Sequence, residues 1–121
     1  MKLINQLSKE TGLPIATIRF YEKSGLFKGQ KKKGITTNNY TYYDDEVTEK
    51  LDLIRDAKSV GFTLSEIKEL IDAWYNKRIS KPKKMEILDA KLAQINDKIK
   101  ELNAVKKQIN YLKREVEKYD C

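Results

Sequence analysis

Between residues 85 and 119 the apolar side chains Met85, Leu88, Leu92, Ile95, Ile99, Leu102, Val105, Ile109, Leu112, Val116 and Tyr119 recur in steps of three and four. Beyond Pro82 neither glycine nor proline interrupts them. Steps alternating in this way define the narrow apolar line of a coiled coil. Two consecutive three-residue steps, ending at Val105, form a stammer that overwinds the coil locally. A helix carrying this line is about 54 Å long at 1.5 Å per residue. It is polar around the rest of its circumference, so it cannot be hidden inside the domain formed by the first 75 residues. It needs a second helix. Another copy of the chain supplies one; folding back on its own domain is the alternative. The expectation is a homodimer held by Leu88, Leu92, Ile95, Ile99, Leu102, Val105, Ile109, Leu112 and Val116. Residues 84–121 then form the dimerisation helix, and the polar stretch 76–83 a linker ahead of it.

The charge of the chain is uneven. Of its 25 basic and 18 acidic residues, residues 1–43 hold eight basic and only two acidic, whereas the middle third is mildly acidic. A basic end with a sequence pI near 9.4 suits a polyanion, nucleic acid ahead of an acidic membrane. There is no histidine, and the single cysteine is Cys121. This removes the commonest general base and metal ligand, and any internal disulfide. The sequence holds no Gly-rich phosphate loop and no nucleophile motif. No enzyme, cofactor or metal site is therefore expected. No apolar run approaches the length of a membrane span, and the N-terminus lacks a signal-peptide pattern. The expected location is the cytoplasm.

Leu3, Ile4 and Leu7 recur at helical spacing until Gly12 breaks the run, and residues 14–23 form a second short helix with Pro14 in its first turn. Ile15, Ile18 and Phe20 are read as pointing inward. Two short helices about Thr11-Gly12-Leu13 form a helix-turn-helix pattern. After Gly25 comes a lysine-rich stretch with turn residues Gly34 and Asn38-Asn39, then Thr and Tyr, which favour extended backbone. This reads as a two-stranded ribbon with a basic tip; a lysine-rich disordered loop is the alternative. Asp44 or Asp45 caps a third helix with Val47, Leu51, Ile54 and Ala57 on its apolar face. Gly61 stops it and Phe62 is a buried hinge. Thr63 and Glu66 form a capping box for a fourth helix, whose core stripe is Leu64, Ile67, Leu70, Ile71 and Trp74. The fold class is mainly α: a winged helix-turn-helix of four helices and a two-stranded wing over 1–75, then the coiled-coil helix.

Four segments in this order resemble the MerR family of regulators. They are Thr17-Ile18-Arg19-Phe20-Tyr21-Glu22-Lys23-Ser24-Gly25-Leu26, Asn38-Asn39-Tyr40-Thr41-Tyr42-Tyr43, Leu53-Ile54-Arg55-Asp56-Ala57-Lys58-Ser59-Val60-Gly61-Phe62, and Leu64-Ser65-Glu66-Ile67-Lys68-Glu69-Leu70. The resemblance implies a dimer, with an antiparallel coil, on a pseudo-palindromic promoter of double-stranded DNA. It also implies distortion of that DNA, so that RNA polymerase can read both promoter elements.

The resemblance and the side-chain chemistry together select the DNA-binding candidates. Arg19 is a cationic fork for phosphate or guanine. Thr17 and Tyr21 offer hydroxyls to phosphate. Ala16 is small enough for close groove approach, and Lys31, Lys32 and Lys33 sit at the ribbon tip. Tyr40 and Tyr43 either brace the wing or touch DNA. Lys58 stands near the family's central phosphates, or is simply solvated. Arg55 pairs instead within the fold, with Asp52 or Glu69.

The sequence departs from the family at several points. Thr41 replaces the usual arginine, Asn39 a glycine and Pro14 a Ser/Thr cap, and the stretch from Gly25 to Asn38 is about three residues long in excess. The family's metal sensors carry cysteines before and after the dimerisation helix. Here the position near Ser80 and Lys81 has no thiol, so metal sensing is not expected. Two other functional classes remain open: an architectural or recombination-associated DNA binder, and an adaptor acting through its coil.

Overall fold

A computed structural model describes residues 1–31 and 40–119. The chain divides into two compact units, Met1–Arg78 and Ile79–Cys121.

The first unit holds α1 (Ile4–Thr11), α2 (Ile15–Lys23), β1 (Gln30–Lys31), β2 (Thr41–Tyr42), α3 (Asp45–Ser59) and α4 (Leu64–Ile71). A π-helical turn, Asp72–Asn76, continues α4. The second unit is one helix, α5 (Lys81–Tyr119), of 39 residues.

Local chemistry explains where the helices begin and end. α1 starts where the Gln6 side chain turns back to accept the Leu3 N–H at 2.8 Å. It stops at Gly12, whose φ of 75° is left-handed and whose N–H donates to the Ser8 carbonyl; this conformation is cheap only for glycine. Pro14 stands one position before α2, as its N-cap, outside the first turn expected for it. Its extended ψ of 147° turns the chain from one helix into the next. Asp44, rather than Asp45, caps α3 by accepting the Val47 N–H. Thr63 and Glu66 form the expected reciprocal box on α4, at 3.2 and 2.9 Å.

The four helices bury one core. Leu7, Ile18, Leu51, Ile54 and Ile67 are fully buried, joined by Val47, Ala57, Leu70, Ile71 and Phe62. Each large aliphatic side chain so placed contributes about 1.5–3 kcal/mol. Arg55 ties α3 to the turn of the motif: its guanidinium donates to the Thr11 carbonyl at 2.7 Å and pairs with Asp52 at 3.2 Å. It thereby satisfies an orphan carbonyl at the end of α1.

Two sequence expectations are corrected here. Phe20 is 55% exposed. Ile18 and Phe20 are two residues, about 200° of helix, apart, so with Ile18 fully buried Phe20 must face away from the core. Trp74 does not continue the α4 stripe. The turn after Ile71 is π-helical, with the Lys77 N–H donating to the Asp72 carbonyl, and its wider repeat leaves Trp74 half-buried. Asn76 and Lys77 also engage the Asp72 carboxylate at 2.9 and 3.5 Å. Together they hold that carboxyl below its usual range, the Asn76 hydrogen bond contributing most.

The ribbon pairs antiparallel, Gln30 opposite Tyr42 and Lys31 opposite Thr41. A further bridge joins Lys2 to Tyr43 through two 2.7 Å backbone hydrogen bonds. The expected turn residues Gly34, Asn38 and Asn39 lie outside the described residues. In the second unit α5 begins at Lys81, so residues 81–83, read as linker, form its first turn. Ser80 precedes them, its hydroxyl accepting the Lys83 N–H, and Pro82 falls where no helical N–H is required.

Candidate nucleic-acid interface

α2 has two faces. Ile18 and Tyr21 are buried and Ile15 is half-buried, whereas Ala16, Arg19, Phe20 and Lys23 are all exposed. The exposed four follow the i, i+3, i+4, i+7 spacing of a single helical stripe. This stripe carries two cations and two apolar side chains. It borders a groove of about 670 Å³ whose far wall is Thr41 and Tyr43 of the ribbon. Arg19 also lines a second cavity of about 440 Å³, shared with Tyr40 and the start of α1.

The expected DNA-binding residues are thus partly brought together. Ala16, Arg19 and Tyr40 line this surface. Tyr40 is 61% exposed, whereas Tyr43, read beside it, is buried. Tyr43 thus braces the core, whereas Tyr40 faces outward. Lys31 is exposed on β1, and Lys58 is exposed on the last turn of α3. Neither lines the two cavities, and Thr17 is half-buried beside them. Tyr21 is only 7% exposed, its ring tilted against Phe20 at 5.7 Å. Its ring is core, and it supports α2 from below instead of standing on the stripe. Lys32 and Lys33 lie outside the described residues.

One functional residue was missed. Glu22, on the last turn of α2, accepts the Gly29 N–H at 3.0 Å with one carboxylate oxygen and the Tyr43 hydroxyl at 2.6 Å with the other. It latches helix to ribbon. Burial, the hydrogen bond to Glu22 and the Glu22 charge push the Tyr43 phenol well above its ordinary 10.0, against a small opposing pull from Arg19. Phe27 packs edge-on against the same ring at 6.0 Å. The only signal in the sequence was a carboxylate at the end of a cationic helix, and that does not reveal its partners.

The latch leads to two expectations. Tyr43→Phe should lower stability by about 1.5–3 kcal/mol, as for a hydrogen bond to a charged group, measured by urea denaturation. Tyr43 has a raised folded pKa, so its contribution is complete below pH 10.0 and declines as pH rises above that value. The stability gap between wild type and variant should therefore narrow in alkali. Gly29→Ala should cost about 1–3 kcal/mol through overpacking, read the same way, because its Cβ would collide with Thr41 Cγ2 and fall 2.7 Å from Tyr43 Cε1.

On α5 the expected seam is open to solvent. Ile95 is half-buried, and the other expected seam residues, from Leu88 to Val116, are 40–62% exposed. Among the described residues no group of three or more His, Cys, Asp or Glu could hold a metal, and no helix is long and apolar enough to cross a membrane. Cys121 lies outside the described residues.

A helix-turn-helix with a ribbon wing, a cationic exposed stripe on its second helix and a long helix next in the chain defines a DNA-binding transcription regulator. The family described as MerR HTH family regulatory protein matches residues 3–74, and the MerR DNA-binding family matches residues 48–112. The chain belongs to the MerR family. It is 40% identical over 73 residues to the HTH-type transcriptional regulator CueR of Yersinia pestis, covering 60% of this chain and 50% of that protein. It is 33% identical over 101 residues to the regulator HmrR of Sinorhizobium medicae, covering 78% and 67%. The crystal structure of the transcription regulator PbrR691 from Ralstonia metallidurans CH34, in complex with lead(II), superposes with a TM-score of 0.75 at 29% identity, covering 94% of this chain and 86% of that one. The aligned part spans about half the length of several curated relatives.

Proposed function

We propose that the chain acts in the cytoplasm as a homodimer, joined through an antiparallel coil of α5, that binds a pseudo-palindromic promoter and distorts it for RNA polymerase, with no catalytic activity of its own. The observation that carries this reading is the apolar seam of α5, which is exposed along the single chain. An isolated narrow seam is stable against a like helix and costly in water. Residues 1–75 form the DNA-binding domain in this reading, 76–80 the connection and the helix from Lys81 onward the dimerisation element. Arg19, Ala16, Thr17, Lys31, Lys32, Lys33, Tyr40 and Lys58 approach the duplex, and the hydroxyl of Tyr21, whose ring is packed in the core, reaches a phosphate.

Genome-wide footprinting of the purified protein on its source DNA tests the reading. Discrete pseudo-palindromic sites in promoters, with hypersensitivity at their centres, are expected. Diffuse occupancy would overturn it. Binding should also be steep in salt: with about six to ten phosphate contacts, affinity falls by about 10³–10⁵ between 50 and 200 mM.

A further inference from the structure

We infer that Phe20 is a specificity-determining residue that reads thymine by packing on its C5-methyl group in the major groove. The inference rests on the DNA-binding reading above. Phe20 is the one large apolar side chain on the exposed stripe of α2, with Ala16 one turn before it and the cations Arg19 and Lys23 on either side. The ring gains little from the protein, since its contact with Tyr21 leaves it 55% exposed. The groove beside it is bounded by the Glu22 carboxylate, but both oxygens of that group are engaged by Gly29 and Tyr43. The stripe thus presents cations and apolar surface together.

The major groove of DNA offers a matching surface. Phosphates flank it, and its only apolar feature is the thymine methyl group. Ala16 is small enough to let the helix approach and adds apolar surface of its own, so a methyl group seated between Ala16 and Phe20 leaves Arg19 and Lys23 aimed at phosphates or guanine. The pair distinguishes thymine from cytosine at one position per half-site without a hydrogen bond.

The probe is a duplex selected from a random pool by the full-length wild-type protein. Each thymine is then replaced in turn by deoxyuridine, which removes the methyl and keeps the pairing, and affinity is read by fluorescence anisotropy at fixed salt. At one position per half-site the replacement should weaken wild type about fourfold, the worth of one buried methyl group, and about sixteenfold when both half-sites are changed. Phe20→Ala, which leaves only the Ala16 contact, should lose most of this penalty. Phe20→Leu, which keeps an apolar contact, should retain most of the penalty. Deoxyuridine without effect at any position, or an equal penalty in wild type and Phe20→Ala, would overturn the inference and leave the regulator reading intact. A pool that yields no enriched sequence overturns both.

Discussion

A chain carrying Leu102→Asp is expected to sediment as a monomer at concentrations where the wild type is a dimer, and to bind its operator about 10²–10⁴ less tightly. Leu102 lies mid-way along α5 with 62% of its surface exposed in the single chain. In a coil that side chain is buried, at about 1.5–3 kcal/mol per copy. The substitution forfeits this in both copies and places two unpaired carboxylates in an apolar seam, where ions are strongly disfavoured. The DNA effect follows from linkage. Two half-sites held by one dimer are bound at a high effective concentration, and the affinity gained in this way vanishes when the linkage is cut. Asn110→Asp, on the other side of the same helix, adds the same charge outside the seam and should leave both properties near wild type. Sedimentation equilibrium and anisotropy check the two parts separately. A Leu102→Asp dimer of unchanged stability would refute the assignment of this seam.

Arg19→Ala is expected to weaken operator binding by about 10- to 100-fold per half-site, and by the product of the two in a dimer, while leaving the melting temperature unchanged. The residue is exposed, and it lines both cavities of the recognition surface. A guanidinium fork engaging guanine, as in one bidentate contact, is worth about 1–3 kcal/mol of discrimination. Removing an exposed side chain of this kind seldom changes stability by more than about 0.5 kcal/mol. The salt dependence tells what the fork touches. If it holds phosphate, the slope of log K against log salt falls by about one for each Arg19 lost; if it holds a base, the slope is unchanged and selectivity at that position relaxes. Arg19→Lys keeps the charge without the fork and should recover the phosphate contribution only. Operator binding at wild-type strength in Arg19→Ala would remove α2 from the reading.

Several features were legible because they are local. Gly12 ends α1 through a left-handed φ that disfavours other residues. Thr63 and Glu66 find each other because a helix start puts them three residues apart. The repeat from Met85 to Tyr119 needs only the period of an α-helix to declare a seam. The order of helices in the first unit follows from such short-range rules.

Phe20, Tyr21 and Glu22 show the limit. Their order along α2 was plain, but which of two adjacent aromatics is core depends on where the rest of the fold presses on the helix. Sequence alone placed Phe20 inside by its hydrophobicity and offered Tyr21 to the phosphates by its hydroxyl. Packing around the fully buried Ile18 turns Phe20 outward and buries the Tyr21 ring. Glu22 needed more still, since its partners Gly29 and Tyr43 are seven and twenty-one residues away. Arg55 likewise had two carboxylates in reach by spacing, and only the fold brought it to the carbonyl of Thr11, forty-four residues off. Sequence by itself therefore determined the helices, most of their ends, the apolar repeat of α5 and the family, since each depends on neighbours within a turn or two of helix. Only the tertiary structure decided which face of α2 is presented and what latches the ribbon to it, because those contacts are made between segments whose approach no local periodicity encodes.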